Sequence, residues 1–144
     1  MGALPEKLNE IRDEFLELEP SDRLLLLLDY SRKLPELPER FRDHPDLLEK
    51  VVECQSPVYL FIELDSQHKV HLHATAPQEA PTTRGFASIL SNGIDGLEPK
   101  EVLDIPDDFP QTLGLTQAVS PLRIRGMSSM LARSKRQLSE RLVQ

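Results

Sequence analysis

Two stretches in the middle of this chain read as β-strand, and they lie next to each other. Val58-Tyr59-Leu60-Phe61-Ile62-Glu63-Leu64 is β-branched and aromatic, and Val70-His71-Leu72-His73-Ala74 alternates apolar with polar residues. The residues between them, Asp65-Ser66-Gln67-His68, are turn formers, so the second strand is expected to pair back antiparallel on the first. Such a hairpin needs a cover over its apolar face, and the flanking segments supply only helical patterns. The expected order is α-α-β-β-α-α, a small antiparallel sheet packed against several helices in an α+β sandwich. Strand and helix do not alternate often enough for a doubly wound sheet.

Leu8, Ile11, Phe15 and Leu18 fall at helical spacing, with Glu10, Asp13, Glu14 and Glu17 on the other faces. Pro20-Ser21-Asp22 stops that helix, and Ser21 is expected to cap a second one over about Asp22 to Lys33. Leu24, Leu25, Leu27 and Leu28 give this helix a wide buried stripe, and Pro35 and Pro38 end it. A short helical piece is expected at Asp46 to Lys50. After the hairpin and a loop at Ala76 to Pro81, Thr82 or Thr83 is expected to cap a helix through Phe86, Ile89 and Leu90, ending near Asn92-Gly93. Glu98 to Leu103 reads as a short helix and Pro106 to Leu115 as a broken, polar stretch. Ser120-Pro121 is a capping hydroxyl followed by proline at a first helical position, and Ile124, Met127, Leu131 and Leu138 carry that last helix to about Leu142.

A length of 144 residues suits one domain, 1–144, with a core of its own. No apolar run approaches the ~20 residues of a membrane span; the leucine run Leu24 to Leu28 is the nearest. Met1 to Glu10 lacks the basic and apolar regions of a secretory signal, and there is a single cysteine, so a cytoplasmic or similarly reducing location is expected. The net charge of −7 disfavours nucleic acid as a partner. The charge is uneven: six of the 17 basic residues (Arg123, Arg125, Arg133, Lys135, Arg136, Arg141) but one of the 24 acidic ones (Glu140) lie within 121–144. Those cations either complement the helix dipole and the acidic body or form a docking face.

Cys54 is the one cysteine, in Val51-Val52-Glu53-Cys54-Gln55-Ser56-Pro57, where the helical half meets the hairpin. It cannot form an internal disulfide, so it acts either as a small buried hydrophobe or as a nucleophile, sulfur carrier or redox handle. Glu53 beside it should raise the thiol pKa, which argues against a self-sufficient cysteine hydrolase. His71 and His73 share a face of the second strand; with Cys54 they make at most three zinc ligands, where structural zinc takes four, so a polar outward face is expected. Arg84-Gly85 opens the middle helix, with glycine admitting another backbone and Arg84 placed to pair with Glu79 or steady a thiolate. No glycine-rich phosphate loop or GxSxG is present.

Four segments, in order and spacing, resemble the SufE/CsdE family of sulfur acceptors, from about Leu4 to Leu142. Tyr30-Ser31-Arg32-Lys33-Leu34-Pro35 is similar to the family's tyrosine-to-lysine-leucine-proline end of the second helix. Val52-Glu53-Cys54-Gln55-Ser56-Pro57-Val58-Tyr59 resembles its valine-x-Gly-Cys-Gln-Ser-x-Val-Trp signature. Thr83-Arg84-Gly85-Phe86 resembles its Arg/Lys-Gly helix start. Leu113-Gly114-Leu115 through Ser120-Pro121-Leu122-Arg123-Ile124-Arg125-Gly126-Met127 resembles its leucine-Ser-Pro-x-Arg-x-Gly-Leu block. The chain departs from the pattern with Glu53 for glycine, Tyr59 for tryptophan, and Ala76 to Pro81 for the usual Ser-Asp-Ala; Glu79 falls near the family's acidic position.

The resemblance implies a small α+β fold, also similar to that of the scaffold protein IscU. It implies that Cys54 accepts sulfane sulfur, as a persulfide, from a pyridoxal-phosphate cysteine desulfurase of the SufS/CsdA kind, stimulating that enzyme. The sulfur then passes to an iron–sulfur scaffold of the SufBCD kind. The chain would be an accessory protein with no cofactor or metal of its own and no membrane or nucleic-acid partner. Glu53, Gln55, Glu79, Arg84, Gly85 and Arg123 would support Cys54, with Arg123 first and Arg84 second as the cation that steadies its thiolate. A carrier should shelter its sulfur, so Cys54 is expected to be partly buried when free and to swing out on docking. The competing readings are a stand-alone cysteine hydrolase or redox enzyme and an interaction module with an inert thiol.

Overall fold

The computed structural model describes residues 4–143. Helices α1 (Glu6–Leu16) and α2 (Pro20–Ser31) lead through a short α3 (Glu39–Arg42) into strands β1 (Glu49–Lys50), β2 (Tyr59–Leu64) and β3 (Val70–Thr75). Helices α4 (Pro81–Ile94), α5 (Pro99–Leu103) and α6 (Pro121–Leu142) complete the order. The sheet is antiparallel, β1-β2-β3, with Leu60 opposite Ala74 and Ile62 opposite Leu72. This is the expected α+β class.

The register puts Leu60, Ile62, Val70, Leu72 and Ala74 on one buried face. Helix α4 packs on β3 and α6 on β2, and α1 and α2 close over α4. Phe86, Ile89, Leu90, Met127, Leu131 and Leu138 fill the space between. Gly85 is where α2 and α4 cross: a Cβ there would lie 2.3 Å from the Leu27 carbonyl oxygen. The outward face carries His71 and His73, as expected, and Phe61, which meets Phe41 from α3 at a ring separation of 5.0 Å.

Several expectations are corrected. Asp46 to Lys50 is helical only at its start: a 3-10 helix at Pro45–Leu47 is followed by β1, because Glu49 and Lys50 find the open edge of β2. Where β1 stops, Gln137 of α6 takes over that edge: its Oε1 accepts from the Ile62 N–H at 2.8 Å and its amide donates to the Leu60 carbonyl. Helix α2 starts at Pro20 with Glu19 at its cap, and α4 starts at Pro81 with Ala80 at its cap; proline sets the first helical φ in both, and no hydroxyl caps either. Ser120 does cap α6, accepting from the Arg123 N–H. The leucine stripe of α2 is narrower than its composition suggests: Leu27 is buried and Leu25 is exposed. Pro106 to Leu115 is not a polar connector, since it forms a 3-10 helix at Phe109–Leu113 and buries Phe109, Leu113 and Leu115.

Candidate functional site

Cys54 sits on the link between the β1 edge and β2. The ladder continues one step past β1, with the Val51 N–H donating to the Val58 carbonyl, and the chain then turns as the Cys54 N–H donates to the Val51 carbonyl at 3.1 Å. The turn lays the side chain on α6 at Gly126, where a Cβ would lie 2.9 Å from Sγ. Only a glycine leaves room for that seat. Cys54 is half-buried there.

The seat is the floor of a cavity of about 100 Å³, walled by Gln55 and Ser56, by Glu79 to Thr83 at the start of α4, and by Leu122 and Arg123 at the start of α6. That volume admits several water-sized groups. The N-terminal ends of α4 and α6 both face it, which favours an anion there. No histidine lines it, so no Cys–His pair forms; His73 is bonded to Glu63, and His71 lies between Asp65 and Asp95. Among the described residues no group of three or more His, Cys, Asp or Glu could hold a metal ion. No described helix is long and apolar enough to cross a membrane.

Burial pushes the Cys54 thiol up to about 11, the Glu53 carboxylate pushes the same way, and Arg133 opposes them. Glu53 therefore acts in the expected direction, but desolvation is the larger cause. Its own carboxyl is drawn down to about 2 by hydrogen bonds from Arg133 and Ser129. Ser129 Oγ donates to Oε1 at 2.5 Å, and Arg133 donates through Nε and Nη2 to the two oxygens at 3.0 Å each.

The other expected residues divide. Gln55, Glu79 and Arg123 line the cavity with Cys54. Arg123 is exposed, and its Nη1 donates to Thr82 Oγ1 at 3.5 Å. Arg84 is elsewhere: it donates to the carbonyls of Ser31 at 2.9 Å and Ala76 at 2.5 Å, tying the end of α2 to the chain after β3, and does not pair with Glu79. Gly85 serves the α2–α4 crossing. Sequence reasoning missed Arg133 and Ser129. Their signal was spacing, because Gly126, Ser129, Arg133 and Gln137 recur at three and four residues along α6 and form one stripe facing the Cys54 loop and β1.

Fold and site together define a class: a small α+β protein that seats a single thiol in a sheltered cleft, with no metal-binding cluster and no histidine beside it among the described residues. A family model described as an Fe-S metabolism associated domain, SufE, matches residues 9–138. The chain belongs to the SufE family, and with it to iron–sulfur metabolism. It is 47% identical over 139 residues to an uncharacterized SufE-like protein of Mycobacterium tuberculosis, covering 96% of each chain. It is 33% identical over 129 residues to SufE-like protein 1, chloroplastic/mitochondrial, of Arabidopsis thaliana, covering 89% of this chain and 33% of that protein. The solution structure of a hypothetical protein from Thermus thermophilus superposes with a TM-score of 0.85 at 34% identity, covering 99% of this chain and all of that one.

Proposed function

We propose that this protein is a sulfur acceptor for a cysteine desulfurase, carrying sulfane sulfur on Cys54 and delivering it to an iron–sulfur scaffold. The observation that carries this reading is the seat of Cys54, a lone thiol on the Gly126 floor of a small cavity in a SufE-family fold. The Cys54 thiolate attacks the outer sulfur of the desulfurase persulfide. A new S–S bond forms at Cys54 as the partner's S–S bond breaks, and the partner's thiolate leaves with the electron pair, so no oxidant is consumed. Pyridoxal phosphate belongs to the desulfurase, and this chain supplies no cofactor.

A thiol held near 11 is almost wholly protonated at neutral pH, which protects it from stray oxidants. Arg123 and the two helix N-termini favour the anion once sulfur is aboard. The reading requires a reducing compartment such as the cytoplasm, where the thiol stays free. The test is an intact mass after incubation with a desulfurase, cysteine and pyridoxal phosphate. A gain of one sulfur atom, abolished in Cys54→Ser, is the expected result, and no gain with the cognate desulfurase would refute it. Desulfurase stimulation that survives Cys54→Ser would favour an interaction module instead.

A further inference from the structure

Beyond the Val51–Val58 ladder bond that closes its base, hydrogen bonds among the described residues hold the Cys54 loop at two points. One is the single turn bond from the Cys54 N–H to Val51. The other is the Glu53 carboxylate, gripped by Arg133 and Ser129 on α6. Val52 on the same loop is 65% exposed and holds nothing down. Arg133 also donates to Glu49 on β1, so one guanidinium ties the last strand residues before the loop to the residue beside the thiol. Two-oxygen pairing with an arginine is directional and charge-assisted, the strong form of such a contact. Cys54 cannot leave Gly126 with the loop unless Glu53 leaves Arg133.

We propose that Arg133 is the latch of the Cys54 loop: with Ser129 it grips Glu53 and keeps the thiol seated on Gly126, and release of Glu53 frees the thiol for transfer. The latch rests on the carrier role proposed above and supplies its regulation. It differs from a simple brace in its electrostatics. The charged groups around Cys54 are Glu53 and Arg133 on one side and Glu79 and Arg123 across the cavity. Removing Glu53 opens the latch and takes away a negative charge. Removing Arg133 opens the same latch but leaves that charge beside the sulfur.

The test is the rate of iodoacetamide alkylation of Cys54 against pH, in the free wild-type protein, Glu53→Ala and Arg133→Met. The high-pH plateau reads access to the thiol, and the midpoint reads its ionisation. The plateau should rise about tenfold in both variants, the order expected when one charge-assisted tie is lost. Both variants let water reach the sulfur, which lowers the midpoint, and Glu53→Ala also removes the adjacent negative charge while Arg133→Met leaves it. The midpoint should therefore fall clearly further in Glu53→Ala than in Arg133→Met, a difference that loosening of the loop alone would not produce. Equal plateaux in all the folded proteins would overturn the latch. If Arg133→Met does not fold because Glu49 and Glu53 each lose one of their partners, Glu53→Ala carries the test alone. No desulfurase takes part in alkylation, so the two proposals fail separately: a raised plateau without sulfur uptake refutes the carrier and keeps the latch, and uptake with unchanged plateaux does the reverse.

Discussion

Cys54 is governed by one atom that Gly126 lacks. The glycine gives Sγ a seat, the seat removes water, and loss of water is the main reason the thiol is pushed to about 11. In Gly126→Ala the added methyl would lie 2.9 Å from Sγ, so the sulfur must turn out into the cavity. Hydration should then lower its pKa below about 11, read from the thiolate absorbance during a pH titration. Stability should fall by no more than about 2 kcal/mol, because alanine in mid-helix gains about 1 kcal/mol over glycine while overpacking costs about 1–3 kcal/mol. A loss of stability no larger than about 2 kcal/mol, together with a lowered thiol pKa, is the expected pair of results. An unchanged pKa would mean that Gly126 does not shape the seat.

The helices obey the same arithmetic, but their neighbours decide the outcome. At Gly85 an added Cβ would meet the Leu27 carbonyl oxygen at 2.3 Å, and backbone in α2 cannot rotate aside as a side chain can. Gly85→Ala should therefore force α2 and α4 apart and cost about 3 kcal/mol, at the upper end for overpacking, measured by urea unfolding. Fully wild-type stability would show that the crossing is softer than its geometry. That glycine was legible in the sequence as a place for close backbone approach, and so were the hairpin and α6, because strand alternation and a Ser-Pro cap are local signals. Strand β1 was not legible: two charged residues, Glu49 and Lys50, become strand only because β2 offers an unpaired edge. The buried Phe109 to Leu115 segment was hidden by its prolines and polar neighbours. In the candidate site, Cys54, Glu53 and Arg123 stood out by type and neighbourhood. Arg133 was one of six similar cations until the turn of α6 and the path of the loop brought it to Glu53.

Across the whole molecule, the basic C-terminal segment folds back on the acidic body. Arg133 and Arg136 meet Glu49, Arg133 meets Glu53, and Lys135 meets Asp107. Arg123 and Arg125 are different: they are exposed near the N-terminal end of α6, where positive charge opposes the helix dipole, and neither has an ion pair among the described residues. The paired charges make stability depend on pH from both sides. Hydrogen bonds from glutamine, arginine, serine or histidine hold Glu49, Glu53, Glu63 and Asp65 below their ordinary values, Glu53 at about 2. A depressed carboxyl contributes fully above its unfolded pKa of about 4 and loses that contribution as pH falls through the folded value, so the acid limb lies between about pH 5 and 2. His71 is raised by Asp95 and Asp65, so its contribution is complete below about pH 6.5 and is lost as pH climbs through the folded value. Cys54, raised to about 11, adds a further decline above about pH 8.5. The urea midpoint should thus peak near about pH 5–6 and fall on either side. Glu53→Ala should flatten the acid limb and His71→Gln the first part of the alkaline one. A midpoint constant from about pH 6 down to about pH 3 would mean that the paired carboxylates contribute nothing to the stability of the fold.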